Sequence, residues 1–323
     1  MLVLAVSNDE FVIKRVGVVR FINEIRRDAM FEVKGYQVYQ MDAANRPVIR
    51  VPDNTAVVFH TLDCYGGQIT ENSAMLDTLD WKRINPAAGP VYVEGAMPGD
   101  VLKIYVENIV VGKQGVMAAI PGNGVLGNLI QIPKVRIMPV EHGRIRFNDN
   151  ISIPCDPMIG VIGVAPKEGA IPCGIPGSHG GNMDNAKIKK GSILYLPVFH
   201  KGALLSIGDV HASMGDGEIM VTGVEIPARV AVYVEILKDC CVETPMLEDA
   251  SHLYTIASHE DLEQAVILAT RAMNQVIQRQ LGLSLEDAGM LMSAAGDLQF
   301  CQVVDPKQTV RFAMSKTILP SLF

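Results

Sequence analysis

The chain lacks the features that mark several large protein classes. Its six cysteines show no C-x-x-C spacing, and 323 residues are too many for a small disulfide scaffold, so we expect reduced thiols. No cationic start followed by an apolar segment is visible. No apolar run approaches the ~20 residues that a membrane helix needs. The sequence therefore predicts a cytoplasmic protein that has no membrane partner.

Basic runs are also missing. The chain has 28 Lys and Arg against 35 Asp and Glu, which gives a formal net charge of −7. Since no basic stretch could neutralise a row of phosphates, we expect no nucleic-acid partner. Hydrophobic residues make up 49% of the chain and charged residues 20%, as in ordinary globular proteins. A disordered or fibrous chain is thereby excluded.

Turn and strand signals are abundant. The 29 glycines and 18 prolines indicate many turns between short elements. His142-Gly143 predicts a hairpin turn between two apolar stretches. Apolar, β-branched runs predict strands near 48–51, 57–59, 101–105, 135–138, 144–147, 193–198, 219–226 and 230–237.

Helical spacing is found only towards the C-terminal end. Apolar residues recur every three or four positions from Leu262 to Val276, which is typical of an amphipathic helix. Ser258 lies three residues before Asp261, a spacing similar to a capping box, and Gly282 is placed to end the helix. A second helix is predicted from Ser284 to about residue 296.

These patterns predict a mainly β fold with β-sandwich or jelly-roll-like and barrel-like blocks, followed by a C-terminal α+β portion. We divide the chain into three parts. Residues 1–30 form an N-terminal extension whose membership of the compact fold the sequence leaves open. Residues 31–127 form a first β block, and residues 128–323 form a second β block that carries the α+β portion.

Residues that could bind a metal ion or carry protons concentrate in a few segments. His60 and Asp63 lie at the end of a predicted strand, and a glycine-bracketed segment over 208–218 carries four potential ligands or proton carriers. In an extended segment Asp209 and His211 share one face, because side chains alternate with a period of two. Imidazole and carboxylate ligands suit zinc or a similar divalent ion, and a catalytic site keeps one position open for water.

Each of these patterns also has an ordinary structural explanation. A His-x-x-Asp sequence at a strand end is commonly a hydrogen-bonded pair, and the glycine-rich segments could be plain surface turns. Cys64 could be a nucleophile or a small buried thiol. Glu94 could be solvated, or it could act as a general base beside a cation-binding pocket.

Four segments are informative through their joint order and spacing: Thr61-Leu62-Asp63-Cys64, Asn85-Pro86-Ala87 leading into 89–96, Gly180-Gly181-Asn182-Met183-Asp184, and 208–218. Taken together, they resemble the acetamidase/formamidase family over residues 35–310. The family's motif positions fall on Asp63, Glu94, Asn182, Asp184, Asp209, His211, Asp216 and Glu218, while Met214 stands where many relatives have glutamine. The resemblance implies a β-rich homo-oligomer that hydrolyses a short aliphatic amide, formamide or acetamide, to ammonia and the carboxylate, with a bound divalent metal.

The site expected from these observations has three groups of residues. The metal is expected to be zinc, with calcium as the alternative, and its candidate ligands are His60, Asp63, His179, Asp184, Asp209 and His211. The candidate catalytic residues are Glu94, Asp216 and Glu218. Gly181 and Asn182 are the candidate substrate-binding residues.

Two other interpretations remain open from the sequence. In one, Cys64 is the nucleophile of a thiol amidase. In the other, the chain is a non-catalytic β protein that binds a metal or a small ligand. Release of ammonia from short amides distinguishes the last interpretation from both enzymatic ones.

Overall fold

The computed structural model describes residues 31–72 and 76–323. The predicted extension over 1–30 lies outside the described residues. The strands, in chain order, are β1 (Phe31–Val33), β2 (Gln37–Val38), β3 (Gln40–Met41), β4 (Ile49–Val51), β5 (Thr55–Thr61), β6 (Ala87–Val93), β7 (Val101–Val111), β8 (Gln114–Ala119), β9 (Lys134–Glu141), β10 (Arg144–Arg146), β11 (Ser152–Pro154), β12 (Met158–Gly163), β13 (Ile171–Pro172), β14 (Gly180–Asn182), β15 (Ile193–Pro197), β16 (Ala203–His211), β17 (Ala228–Leu237), β18 (Met246–Glu248), β19 (His252–His259), β20 (Gly296–Gln302) and β21 (Gln308–Ser315). The helices are α1 (Leu262–Leu281) and α2 (Leu285–Ala295), with short 3₁₀ turns at Leu76–Thr78, Trp81–Arg83 and Gly127–Leu129.

The mainly β fold with a C-terminal α+β portion is confirmed. A nine-stranded sheet has the order β1-β5-β17-β7-β15-β18-β19-β21-β20, and a six-stranded sheet has the order β14-β12-β16-β6-β2 with β4 paired to β6. The inner faces of both sheets contribute to one buried hydrophobic cluster, as expected for a sandwich. A four-stranded sheet, β11-β10-β9-β8, and the pair β13-β3 complete the β structure.

Strand β17 shows why the pattern of the sequence is informative. Its residues alternate between buried and partly exposed from Ala228 to Leu237. This period of two places Val230, Val232 and Val234 in the core of the sandwich. The predicted hairpin at His142-Gly143 also forms between β9 and β10, and both turn residues have a positive φ.

The C-terminal helices pack on the far part of the nine-stranded sheet. Helix α1 buries an apolar face that includes Met273 and Ile277 in a second hydrophobic cluster. Gly282, with φ 66°, ends α1 as predicted. The N-cap is Asp261 rather than Ser258, since Ser258 belongs to β19 and the Asp261 carboxylate accepts the N–H groups of the first turn. No helix in residues 31–72 and 76–323 is long and apolar enough to span a membrane.

Both large sheets contain strands from either side of residue 127. One strand predicted from the sequence is absent. The strand predicted over 219–226 does not form, because the chain turns at Glu218 and Val221, which both have a positive φ. Within that segment Glu225 makes isolated bridges to Val116 and His211.

Candidate active site

The candidate site lies where β12, β14 and β16 are neighbours in the six-stranded sheet. Strand β16 ends with Asp209 and His211, and Asp184 follows β14. Each of these three side chains is almost completely buried. The sheet therefore brings together two chain segments that are more than 20 residues apart in sequence.

His211 is surrounded by carboxylates. Its Nε2 atom lies 3.2 Å from Glu225 Oε2, 3.4 Å from Asp209 Oδ1 and 3.7 Å from Asp184 Oδ1. None of these four atoms makes an aligned hydrogen bond within the described residues. Because buried polar atoms are normally paired, such a concentration of unpaired ligand-type atoms indicates a place for a cation or a polar ligand.

Backbone conformation supports this interpretation. Asp184, Asp209 and Glu218 all have φ between 40° and 48°, in the left-handed region that residues other than glycine rarely adopt. Strained residues of this kind cluster at functional sites, where the surrounding structure holds them. Asp209 and His211 do converge, but Asp209 is not in the extended conformation from which their shared face was predicted.

The electrostatics of the cluster follow from burial and mutual charge. Burial raises the pKa of Glu225 to about 8, although His211 opposes this shift. Burial also raises the pKa of Asp184 well above its usual range, and Glu218 and Asp209 add to the effect. Burial alone would raise the pKa of Asp209, but the charge of His211 lowers it. The pKa of His211 is raised well above its usual value because Glu225 and Asp209 outweigh the effect of burial.

A cavity of about 640 Å³ opens beside this cluster. Its lining combines carboxylates with apolar and aromatic groups, as is typical of sites for small molecules. The polar lining includes Asn182, Asp209, Glu218, Glu225 and Asp305. The apolar lining includes Tyr65, Trp81, Ile84, Ile120, Ile175 and Val221.

Several of the predicted metal ligands meet in this cluster. Ligand atoms of Asp184, His211 and Glu218 lie within 4.8 Å of one another, and so do those of Cys64, Asp209 and Glu225. One imidazole with several carboxylates fits a divalent ion such as zinc, and a set so rich in oxygen also suits calcium. The donor set and its unpaired atoms therefore make this cluster a candidate divalent metal site.

The other three predicted ligands are in different environments. Asp63 is buried, and its Oδ1 accepts the Gly67 N–H at 3.0 Å, so one of its oxygens holds a turn. His179 is buried with an unpaired Nε2, and burial lowers its pKa to about 4, which leaves the imidazole neutral. His60 is partly exposed on β5, with Nε2 3.4 Å from Glu32 Oε2, and is not brought into the cluster.

The predicted catalytic and substrate-binding residues separate into two sets. Glu218 and Asn182 line the cavity, and Gly181 lies beside Asn182 with φ 83°, where a Cβ would be 2.5 Å from the Ile175 carbonyl oxygen. Glu94 is exposed after β6 and is not among the residues that line the cavity. Asp216 is half-exposed and pairs with Arg311, its Oδ2 2.5 Å from Nη2.

Sequence reasoning missed two carboxylates of the site. Glu225 lies between Val224 and Ile226, and an acid enclosed by apolar residues was a signal that could have identified it. Asp305 lies in the turn between β20 and β21, and its local sequence resembles any exposed Asp-Pro turn. Only the docking of the C-terminal portion brings Asp305 to the cavity.

The fold and the site define a mainly β protein with a buried imidazole–carboxylate centre beside a cavity for a small molecule. The model of the acetamidase/formamidase family matches residues 39–172 and 168–305, which together make up most of the chain. The chain belongs to this family.

Solved structures agree with this assignment. An acetamidase of Bacillus halodurans is 42% identical, with a TM-score of 0.88 over 91% of this chain and 99% of that one. An acetamidase of Yersinia enterocolitica is 31% identical, with a TM-score of 0.86 over 91% and 94% of the two chains. A formamidase of Methylophilus methylotrophus is 28% identical over 240 residues, or 55% of this chain. The chain spans 64% and 58% of the lengths of two curated relatives that it matches.

Proposed function

We propose that this protein hydrolyses short aliphatic amides, formamide or acetamide, to ammonia and the carboxylate with the help of a divalent metal ion. One observation carries the proposal: His211 lies within 3.7 Å of three buried carboxylates whose facing atoms are unpaired. The names and solved structures of the relatives support the same reaction class. The family assignment makes an enzyme a better interpretation than a non-catalytic binding protein.

An amide resists hydrolysis because the nitrogen lone pair is delocalised into the carbonyl group. When bound, a divalent ion supplies positive charge that lowers the pKa of a coordinated water and polarises a carbonyl oxygen. The residues that would hold it are Asp184, His211 and Glu218, with Asp209 and Glu225 beside them. Zinc suits the imidazole nitrogen, and calcium suits the carboxylate oxygens.

The proton carrier in this proposal is Glu225, because Glu218 is one of the three residues that would hold the ion. The Glu225 carboxylate lines the cavity, so it could accept a proton from attacking water and deliver it to the leaving nitrogen. Glu94 and Asp216 receive no such role, because Glu94 is exposed and Asp216 pairs with Arg311.

A thiol mechanism receives less support. Cys64 is buried near Asp209 and Glu225, and burial together with these negative charges raises the pKa of its thiol well above the usual value. A nucleophilic cysteine needs the opposite environment, since the thiolate is the reactive form. Cys64 is therefore in an environment that favours the unreactive thiol.

Metal removal tests the proposal. After chelation, we expect ammonia release from acetamide and formamide to fall by more than about 100-fold, because outer-shell changes at metal sites alone cost 10- to 100-fold. Adding back zinc or calcium singly should restore the rate and identify the ion. Full activity in a sample shown by mass spectrometry to be metal-free would contradict the metal role, and no ammonia from any short amide in the metal-loaded protein would contradict the enzymatic one.

A second prediction concerns Gly160, on β12 beneath the cluster. A Cβ at this position would meet Asp184 Oδ1 and would lie 2.8 Å from both Asp209 O and Asp209 Oδ2. Gly160→Ala should displace both carboxylates and lower kcat/KM for acetamide by about 100-fold, the cost of misplacing catalytic groups by about 1 Å. Gly215→Ala is the matched control, since a Cβ there meets nothing within 4 Å. Equal kinetics in the two variants would show that the positions of Asp184 and Asp209 do not matter.

We also propose that the protein is a cytoplasmic homo-oligomer. All six cysteines are free, as expected in a reducing compartment. The segment after β8 exposes four apolar side chains, Val125, Leu126, Leu129 and Ile132, with exposed fractions of 46–79%. Such an apolar surface is typical of a protein–protein contact.

A further inference from the structure

The loop between β20 and β21 reaches the cavity and is held by one buried amide. Gln302 is fully buried. Its Oε1 accepts the N–H groups of Val304 and Asp305 at 2.9 and 3.0 Å, and its Nε2 donates to Lys307 O at 2.6 Å and Thr309 Oγ1 at 3.2 Å. Because both ends of the amide are used, the loop is fixed from Val304 to Lys307.

Asp305 lies in this loop, and its side chain contacts Asn182. The Asn182 Nδ2 group donates to Asp305 Oδ2 at 2.9 Å. A carboxylate accepts hydrogen bonds, so this contact decides which end of the Asn182 amide faces Asp305. The NH₂ end is directed to Asp305, and the carbonyl end is left for another partner.

The carbonyl oxygen of Asn182 has no such partner among the described residues. Asn182 Oδ1 is buried and unpaired, the whole residue is 3% exposed, and it lines the same cavity as Glu218 and Glu225. Since an unpaired buried acceptor is unfavourable, a ligand that brings a hydrogen-bond donor would be favoured there.

We infer that Asn182 Oδ1 accepts a hydrogen bond from the NH₂ group of the substrate amide, and that Asp305 is the positioning residue that holds Asn182 in this orientation. This inference rests on the proposed amide hydrolysis, and it adds a structural basis for the substrate specificity of that reaction. An ester has an oxygen without hydrogen where the amide has NH₂, so it would place a second acceptor against Asn182 Oδ1. The pair should therefore select amides over esters, as polar sites reject analogues that lack the matching donor.

Four proteins test the inference: the wild type, Asp305→Leu, Asp305→Asn and Asn182→Leu, each assayed with acetamide and methyl acetate. Asp305→Leu removes the acceptor that orients Asn182, whereas Asp305→Asn keeps a carbonyl oxygen that can accept from Nδ2. We expect kcat/KM for acetamide to fall about 10- to 100-fold in both leucine variants and to stay within about threefold in Asp305→Asn. The ratio of kcat/KM for acetamide to that for methyl acetate should fall in the leucine variants.

Metal content per chain, measured on the same samples, separates orientation of the substrate from binding of the ion. A loss of metal that parallels the loss of activity would mean that Asn182 Oδ1 faces the cation, and would overturn the inference. An equal loss in Asp305→Asn and Asp305→Leu would overturn it too, because the charge of Asp305 would then matter rather than its acceptor. If the metal-loaded wild type hydrolyses no amide, the proposed function fails at that earlier step, and this result is distinct from a failure in the variants.

Discussion

His211→Asn is expected to reduce amide hydrolysis by more than about 100-fold while the protein stays folded. The Nε2 atom of His211 contacts three carboxylates, and the shorter asparagine side chain cannot reach that position. Loss of an outer-shell partner of a metal costs up to about 100-fold, so loss of a ligand should cost at least as much. The measurements are ammonia release from acetamide and metal content by mass spectrometry.

His142→Asn is the matched control for this prediction. His142 is an exposed hairpin residue with φ 51°, a conformation that asparagine tolerates well. It should leave kcat/KM and metal content unchanged. If His211→Asn retained activity within about threefold of wild type and bound metal normally, the imidazole would have no part in the site.

Arg311→Met is expected to lower the free energy of unfolding more than the other substitutions predicted for this protein. Arg311 is fully buried, and its guanidinium donates to Asn185 Oδ1 at 2.9 Å, Gln299 Oε1 at 2.7 Å and Asp216 Oδ2 at 2.5 Å. Methionine fills a similar volume but leaves these acceptors unpaired. We expect the free energy of unfolding to fall by about 2–4 kcal/mol. This loss is smaller than that from breaking an ion pair in which both side chains are buried, because Asp216 is half-exposed.

The denaturant midpoint measures this loss, and Lys103→Met is the control. Lys103 pairs with Glu235 at 2.8 Å, but both side chains are about one-third exposed. Exposed pairs contribute at most about 1 kcal/mol, so this variant should unfold close to wild type. Equal midpoints for the two variants would show that the buried network around Arg311 contributes no more than a surface pair.

The Arg311 network also explains what Asp216 does. Asp216 was predicted to be catalytic because it lies in the acidic segment over 208–218, but its carboxylate is held by Arg311. Through Asn185 and Asp216 the same guanidinium joins the two loops that carry Asp184 and Glu218. Arg311→Met should therefore lower activity as well as stability.

The sequence by itself determined the two helices, several of the strands and the proximity of Asp209 and His211. Strand β17 follows from its alternation and α1 from its apolar spacing, since burial of one face imposes the period of each element. Asp209 and His211 are two residues apart, so their proximity is a local property of the chain. The segment over 208–218 and the family motifs are also short stretches of chain, so they could be recognised without the tertiary structure.

Only the tertiary structure decided which distant carboxylates complete the cluster. Glu225 reaches His211 through an isolated bridge, and Asp305 reaches Asn182 from 123 residues away because the C-terminal portion docks against the sandwich. Likewise Glu94, although part of a family motif, is left exposed beyond β6. Local periodicity specifies which face of an element is buried, but contacts between separate elements depend on how the sheets pack, and no short stretch of sequence encodes that packing.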